Sequence, residues 1–132
     1  MFGTKVKIKF HDCDPAGIMF YANIYKLAHD LYQELLAEVP GRDFFNDDLI
    51  ALPIVKSSAE YFYPMKSGDE YSAELMVSQL RDNSFELTFL FYDNHRKVHA
   101  EVKTVHVAVD KNDFLKTALP FELVDLLKAN RL

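Results

Sequence analysis

The chain has 132 residues and a mass of 15.3 kDa, a length typical of a single domain. Hydrophobic residues make up 49% and charged residues 27%, which excludes a disordered or low-complexity chain. The net charge is -5 and the basic residues are scattered, whereas a nucleic-acid-binding protein usually carries a basic face. Nucleic acid is therefore not expected as a partner.

The cysteine count and the N-terminal pattern narrow the class of protein further. The single cysteine, Cys13, excludes an internal disulfide and a CxxC zinc site. His11 and the nearby aspartates match no closed set of zinc ligands, so no metal is expected. The N-terminal residues alternate in polarity, and neither a signal peptide nor a run of about 18 apolar residues is found. We expect one cytoplasmic domain, residues 1–132, that does not bind membranes.

The first half of the chain predicts one strand followed by one long helix. Over residues 4–10, lysines alternate with apolar residues, which is the period of a half-buried strand. The Asp-Pro-Ala-Gly run at 14–17 predicts a turn. Between residues 20 and 39, apolar residues recur every three or four positions and predict an amphipathic helix that a Pro-Gly pair ends. Residues 42–52 are expected to form a loop or a short irregular helix.

The second half of the chain predicts four strands and a short helix. Residues with high strand propensity alternate in polarity over 54–63, 70–80, 84–92 and 97–109. Tight turns join the last three of these segments, so we expect an antiparallel meander. A final helix is predicted after Pro120, since proline suits the first turn of a helix. One long helix against one antiparallel sheet is an α+β architecture.

Residues 10–25 carry the most informative pattern, Phe-His-Asp-Cys-Asp-Pro-Ala-Gly-Ile-Met-Phe-Tyr-Ala-Asn-Ile-Tyr. This segment resembles the active-site motif of the 4-hydroxybenzoyl-CoA thioesterase family of hotdog-fold enzymes. The matching residues are Asp12, Asp14, Gly17, Tyr21 and Asn23. The order of strand, long helix and four strands fits the family as well, so the resemblance extends over nearly the whole chain.

The resemblance implies a hotdog fold, in which a five-stranded antiparallel sheet wraps the long helix. It also implies homodimers or homotetramers with active sites at the subunit interfaces, and hydrolysis of an acyl-CoA thioester. The family's catalytic carboxylate falls on Asp14, as general base or nucleophile. The backbone amide that polarises the thioester carbonyl falls near Tyr21. Coenzyme A is part of the substrate, so no separate cofactor is expected.

The chemistry of the segment suits this reaction without the resemblance. A carboxylate can activate water or attack a carbonyl carbon directly. A helix N-terminus offers unpaired N–H groups to the developing oxyanion. Asp14 lies a few residues before the predicted helix, and the backbone amides of Gly17 and Tyr21 are the candidate donors. A structural role in the turn remains open for Asp14, and it is the favoured role for Asp12.

Three residues at four-residue spacing, Tyr21, Tyr25 and His29, are expected along one face at the start of the long helix. They are candidates for lining an acyl pocket, although they could instead pack in the core. The hydroxybenzoyl enzyme of the family has an aspartate at the position of His29, which argues against hydroxybenzoyl specificity here. The related thioesterases associated with the Tol-Pal system usually have a histidine at the position of Tyr21, which argues against a short-chain acyl group. An aroyl group is favoured, and dihydroxynaphthoyl-CoA is one candidate.

Two basic residues, Arg81 and Lys116, fall at about the places where family members bind the coenzyme A phosphates; ordinary surface charge is the alternative for each. Two other functions remain open, a thioesterase acting on acyl-carrier protein and a non-catalytic hotdog module that binds acyl-CoA. The acidic chain disfavours the first, because carrier proteins are acidic too. The presence of Asp14 and Gly17 disfavours the second, because binding alone needs no carboxylate beside the carbonyl.

Overall fold

The structure is a computed structural model that describes residues 2–132. The helices and strands follow in the order β1 (Phe2–Lys7), a 3₁₀ turn (Phe10–Asp12), α1 (Asn23–Leu36), β2 (Ile50–Ala51), β3 (Ile54–Tyr61), β4 (Glu70–Leu80), β5 (Ser84–Tyr92), β6 (Val98–Val107), β7 (Val109–Asp110) and α2 (Phe121–Ala129). Within this part of the chain, no helix combines the length and the apolar character needed to cross a membrane.

The sheet confirms the predicted antiparallel meander. Its five strands lie in the order β1-β4-β5-β6-β3, so consecutive strands β4, β5 and β6 are neighbours and β1 and β3 form the two edges. The alternating apolar side chains of β4 and β5 are buried on one face, as a half-buried sheet requires. These are Tyr71, Ala73, Leu75, Val77, Phe85, Leu87, Phe89 and Phe91.

The long helix α1 covers that apolar face of the sheet. The predicted stripe of Ile24, Ala28, Leu31 and Leu35 is buried, and α1 contacts β1, β4 and β6. The core therefore forms between one helix and one sheet, which confirms the predicted α+β architecture.

The predicted bounds of β1 and α1 are too generous, and hydrogen bonds explain both differences. β1 ends at Lys7 rather than at residue 10, because residues 10–12 turn into a 3₁₀ helix that a local bond to the Asp12 side chain caps. α1 begins at Asn23 rather than at residue 20, because the chain is held extended as far as Met19 and residues 21–22 form a turn. The Met19 amide donates to the Met65 carbonyl at 2.8 Å, which keeps this segment out of the helix.

The remaining differences lie at strand ends and in the long loop. The loop predicted at 42–52 contains the two-residue strand β2, which pairs with β7. The strand predicted at 97–109 is divided into β6 and β7, and the strand predicted at 54–63 ends at Tyr61. The predicted start of the final helix is confirmed, since α2 begins directly after Pro120.

Candidate active site

The motif segment forms a narrow hairpin between the 3₁₀ turn and α1. Cys13 pairs with Met19, and the Asp14 amide donates to the Ile18 carbonyl at 2.9 Å. The Gly17 amide donates to the Asp14 carbonyl at 3.0 Å and closes the turn. Gly17 has a φ of 77°, a left-handed conformation that glycine adopts without a steric penalty. The turn predicted at 14–17 is thus confirmed, and it projects Asp14 at the tip of the hairpin.

The Asp14 carboxylate has one bonded oxygen and one open oxygen. Oδ1 accepts a hydrogen bond from the Ala16 amide at 2.9 Å, while Oδ2 makes no hydrogen bond to residues 2–132. The side chain is exposed to solvent. A structural and a catalytic role of Asp14 are therefore compatible, because one carboxylate oxygen stabilises the turn and the other is free to act on a substrate.

The amides expected to bind an oxyanion are not equally available. The Gly17 amide is already paired with Asp14 inside the turn, so it is not free in this conformation. The Tyr21 amide, at the entrance to α1, makes no hydrogen bond to the residues that the structure describes. The helix start at Ala22 has no side-chain cap, and its first turn has no acidic residue. The partial positive charge of the helix N-terminus is therefore not neutralised locally.

Asp12 holds the base of the hairpin, which confirms its predicted structural role. Its side chain is buried, and Oδ2 accepts from the Lys9 amide at 3.0 Å. Its backbone carbonyl accepts from the Phe20 amide and from Nδ2 of Asn23, each at 2.8 Å. The asparagine of the motif thus ties the first turn of α1 to the strand side of the hairpin.

The three residues of the predicted pocket stripe are divided between two cavities. Tyr25 and His29 line a cavity of about 420 Å³ between α1 and the strands β3 and β6. Tyr21 precedes the helix, is 66% exposed, and lines a smaller cavity of about 260 Å³ with residues 61–65. The expectation that all three share one helix face is therefore wrong for Tyr21, because α1 begins two residues after it.

Tyr61, at the end of β3, lines the smaller cavity together with Tyr21 and was not anticipated from the sequence. Its hydroxyl donates to the Tyr21 carbonyl, and it lies near the Tyr25 ring as well. Partial burial, with the neighbouring phenols of Tyr25 and Tyr21, raises the pKa of Tyr61. The aromatic run at 61–63 was the one available signal, but only the fold shows which helix it meets.

Tyr32 and His106 are two further pocket residues that sequence reasoning missed. They line the same cavity as Tyr25, and their ring centroids lie 4.5 Å apart. The His106 ring stacks on Phe85 at 4.8 Å with an interplanar angle of 4°. Its Nε2 lies 2.8 Å from Oγ1 of Thr104, so the imidazole is held on two sides.

The predicted phosphate ligands lie far from Asp14 within one chain. The hairpin meets the sheet beside residues 65–69, just before β4, whereas Arg81 follows the other end of this eleven-residue strand. Such a strand is roughly 35 Å long. Lys116 lies at the same far end, where it pairs with Val109. One chain therefore does not bring Arg81 or Lys116 together with Asp14.

Comparisons with known proteins agree with this architecture. Residues 8–127 match the model of the thioesterase-like superfamily. A 1,4-dihydroxy-2-naphthoyl-CoA hydrolase from Nostoc punctiforme is 32% identical over 126 residues, which cover 94% of this chain and 84% of that protein. The enzyme of the same name from Rippkaea orientalis is 32% identical over 127 residues, which cover 92% of this chain and 91% of that protein.

Solved structures show the same fold. A 1,4-dihydroxy-2-naphthoyl-CoA thioesterase from Synechocystis superposes with a TM-score of 0.89 at 21% identity, covering 96% of this chain and 95% of that one. A gentisyl-coenzyme A thioesterase superposes with a TM-score of 0.80 at 26% identity, covering 92% and 98%.

The chain belongs to the thioesterase-like superfamily, and the predicted hotdog fold is confirmed. It is an acyl-CoA thioesterase, so the predicted reaction class, hydrolysis of a thioester, is confirmed as well.

Proposed function

We propose that this enzyme hydrolyses an aroyl-CoA to the free aromatic acid and coenzyme A, with Asp14 as the catalytic carboxylate. The observation that carries the proposal is the hairpin, which exposes the open carboxylate oxygen of Asp14 next to the uncapped start of α1. Both chemical requirements of thioester hydrolysis, a carboxylate and an oxyanion donor, therefore come from one short segment.

In this mechanism the Tyr21 amide binds the thioester oxygen as negative charge develops on it. One such donor typically lowers the barrier by about 3 kcal/mol. The Asp14 carboxylate either takes a proton from the attacking water or attacks the carbonyl carbon itself. In both cases the thiolate of coenzyme A leaves, and it is stable enough to leave without a metal. The roles of Asp14 and Tyr21 follow the family motif and fit their geometry here.

The proposed acyl group is aromatic, and 1,4-dihydroxy-2-naphthoyl-CoA is the first candidate. The related enzymes named above support this choice, and so do the aromatic walls of the cavity at Tyr25 and Phe89. The presence of His29 at the position of the hydroxybenzoyl enzyme's aspartate makes 4-hydroxybenzoyl-CoA, the substrate class of the family that the motif resembles, a less favoured aromatic substrate. We place the reaction in the cytoplasm, as the sequence predicts.

A homodimer paired through β3 completes the proposed site. β3 is an edge strand, and side chains along it such as Val55 and Tyr61 are exposed. An unprotected edge strand readily pairs with another chain. A two-fold pair of β3 strands is antiparallel, so it sets the Ile54 end of one subunit beside the Tyr61 end of the other. Arg81 lies at the Ile54 end of the sheet, so Arg81 of the partner subunit approaches the Asp14 hairpin and can bind the coenzyme A phosphates.

A hydrolysis screen tests the proposal. Purified protein is given 1,4-dihydroxy-2-naphthoyl-CoA, 4-hydroxybenzoyl-CoA, benzoyl-CoA, acetyl-CoA, hexanoyl-CoA and a hexanoyl-acyl-carrier protein, and released thiol is measured. We expect the highest kcat/KM for the aromatic CoA esters. Higher kcat/KM for the carrier-protein ester would favour the carrier-protein thioesterase instead. Binding of acyl-CoA without thiol release would favour the non-catalytic module.

A further inference from the structure

Two residues that line the cavity beside Tyr25 each carry a buried polar atom without a hydrogen-bonding partner. Among residues 2–132, the hydroxyl of Tyr32 and Nδ1 of His106 make no hydrogen bond. Tyr32 is 3% exposed and His106 is 1% exposed. Leaving a buried polar group unpaired is destabilising, because the hydrogen bonds it made to water are not replaced. Two such groups in the wall of one cavity indicate a ligand that supplies the missing hydrogen bonds.

The His106 ring is fixed well enough to recognise a ligand. Thr104 holds Nε2 and the Phe85 ring stacks on one face of the imidazole, so the position of Nδ1 is determined. Burial lowers the pKa of His106 to about 4, with a smaller contribution from the nearby His29. The Leu52 backbone lies close enough to the ring to oppose this shift, but it does not meet hydrogen-bond geometry with Nδ1. The imidazole is therefore neutral near pH 7, with one donor and one acceptor nitrogen.

The two unpaired atoms lie at a suitable distance from the reacting end of the pocket. Tyr25 and Tyr32 line the same cavity from α1, and the helix advances about 10 Å between them. Tyr61 donates to the carbonyl of Tyr21, whose amide is the proposed oxyanion donor, and its phenol lies near that of Tyr25 in the wall of this cavity. An acyl group of one or two aromatic rings can extend from the oxyanion donor past Tyr25 toward Tyr32.

We propose that the Tyr32 hydroxyl and Nδ1 of His106 bind a ring hydroxyl of the acyl group, and so select hydroxylated aroyl-CoA over its unsubstituted analogue. This inference rests on the proposed function. A phenolic hydroxyl donates one hydrogen bond and accepts another, so it can satisfy both groups at once. Sites that hydrogen-bond a substrate hydroxyl discriminate strongly against the analogue that lacks it, because their buried polar groups are then left unpaired.

The test compares matched substrates in the wild type and in Tyr32→Phe, which removes only the hydroxyl. The substrates are 1,4-dihydroxy-2-naphthoyl-CoA with 2-naphthoyl-CoA, and 4-hydroxybenzoyl-CoA with benzoyl-CoA. For at least one pair, we expect Tyr32→Phe to lower kcat/KM about tenfold for the hydroxylated ester and by less than about twofold for the unsubstituted one. Equal losses in both members of each pair, or no loss in either, would overturn the inference.

Two controls separate recognition from folding. Tyr92→Phe removes the hydroxyl of another buried tyrosine, one that donates to Glu74 and lies outside the cavity. This control should leave the ratio of kcat/KM within each substrate pair unchanged. Tyr32→Phe should keep or raise the Tm, because it removes an unpaired buried group. A clear fall in Tm would show that the hydroxyl already has a permanent partner, and would contradict the inference.

Binding of the free acids provides a readout that does not depend on turnover. Calorimetry with 1,4-dihydroxy-2-naphthoate and 2-naphthoate should show at least tenfold tighter binding of the hydroxylated acid, and Tyr32→Phe should remove that difference. Equal affinities in the wild type would overturn the inference even if the enzyme hydrolyses aroyl-CoA. Conversely, a wild type that shows this preference but releases no thiol from any ester would leave the recognition site standing and refute the proposed function.

Discussion

Asn23, the first residue of α1, donates a hydrogen bond of 2.8 Å from its side chain to the backbone carbonyl of Asp12. The bond joins the helix start to the opposite side of the catalytic hairpin, eleven residues earlier. The helix lacks a side-chain cap for a separate reason, because its N-cap residue is Ala22, which has no side-chain acceptor. The motif asparagine therefore fixes the hairpin relative to α1, and Ala22 leaves the helix N-terminus open.

Asn23→Ala should loosen this connection. We expect a loss of about 1 kcal/mol in the free energy of unfolding, the usual contribution of one hydrogen bond. A loss of this size leaves the protein folded and does not by itself lower kcat. Because the hairpin carries Asp14, we nevertheless expect kcat to fall when the hairpin is no longer fixed to α1. Denaturant unfolding and steady-state kinetics measure the two effects. Glu34→Ala, an exposed change on the same helix, is the control. Unchanged kcat in Asn23→Ala would refute the positioning role.

Asp14→Asn should abolish turnover and leave the fold intact. The amide oxygen of asparagine can still accept the hydrogen bond from the Ala16 amide, so the turn is preserved. Loss of a general base usually lowers the rate by about 10² to 10⁴, and loss of a nucleophile should cost at least as much. Thiol release measures kcat, and circular dichroism checks the fold. A kcat within about tenfold of the wild type would exclude a catalytic role for this carboxylate.

The matched change at the other aspartate, Asp12→Asn, should act mainly on stability. Asp12 is buried, and its carboxylate accepts from the Lys9 amide. A hydrogen bond to a charged group contributes about 1.5–3 kcal/mol, and only part of this is lost when a neutral acceptor replaces the charge. We expect a lower Tm with a smaller loss of kcat than in Asp14→Asn. The reverse order of kcat losses would exchange the roles of the two residues.

The buried imidazole of His106 should make the free energy of unfolding depend on pH between about 6.5 and 4. Burial holds the pKa of His106 at about 4 in the folded protein, while a histidine in an unfolded chain has a pKa near 6.5. The unfolded state therefore binds more protons in this window. The free energy of unfolding is therefore not reduced by His106 above pH 6.5. It falls by about 3 kcal/mol in all as the pH decreases through this window towards 4.

Denaturant unfolding at several pH values checks this dependence. His106→Gln should flatten the curve between pH 6.5 and 4, whereas His95→Gln, a change at an exposed histidine, should not. Asp93 acts at more acidic pH, because hydrogen bonds from His99 and from backbone amides lower its pKa to about 2. Identical slopes in His106→Gln and in the wild type would show that the folded protein accommodates a charged ring at this position.

The oligomeric state should depend on the outer edge of β3. The Phe62 amide donates to the His99 carbonyl. Because successive amides of β3 point alternately towards β6 and away from the sheet, the Ser58 amide faces β6 and the Ser57 amide faces outward. Light scattering on the wild type should give at least twice the 15.3 kDa of one chain. Ser57→Pro should shift the mass toward one chain, because proline removes an outward donor.

Ser58→Pro is the contrasting variant, since it removes a hydrogen bond to β6 and should mainly lower the Tm. A wild-type mass near 15.3 kDa at micromolar concentration would refute the shared site. An unchanged mass in Ser57→Pro would place the subunit contact elsewhere than on this edge.

The architecture could be predicted from the sequence because each helix and strand is encoded by a polarity pattern within its own segment. The stripe at Ile24 and Leu31 has the helical period, and the core-facing apolar residues of β4 and β5 recur at every second position. The start of α1 was misplaced because a distant partner, the Met65 carbonyl, holds the preceding residues extended. Tyr32 and His106 were missed for the same reason. They are 74 positions apart in the chain, and only the packing of α1 on β6 brings their rings together.

The preference for aromatic acyl groups should depend on Tyr25. Its half-buried ring lines the cavity opposite Phe89, so a flat acyl group can pack against it, with a gain of roughly 1 kcal/mol for each ring pair beyond burial. Tyr25→Ala should lower kcat/KM for benzoyl-CoA by about fivefold and leave hexanoyl-CoA nearly unchanged, which narrows the gap between them. Gln33→Ala, an exposed change on α1 outside this cavity, controls for effects on the helix. Equal losses of kcat/KM for both esters in Tyr25→Ala would show that the ring supports the fold rather than the choice of substrate. Equal kcat/KM of the wild type for acetyl-, hexanoyl- and benzoyl-CoA would exclude an aromatic preference altogether.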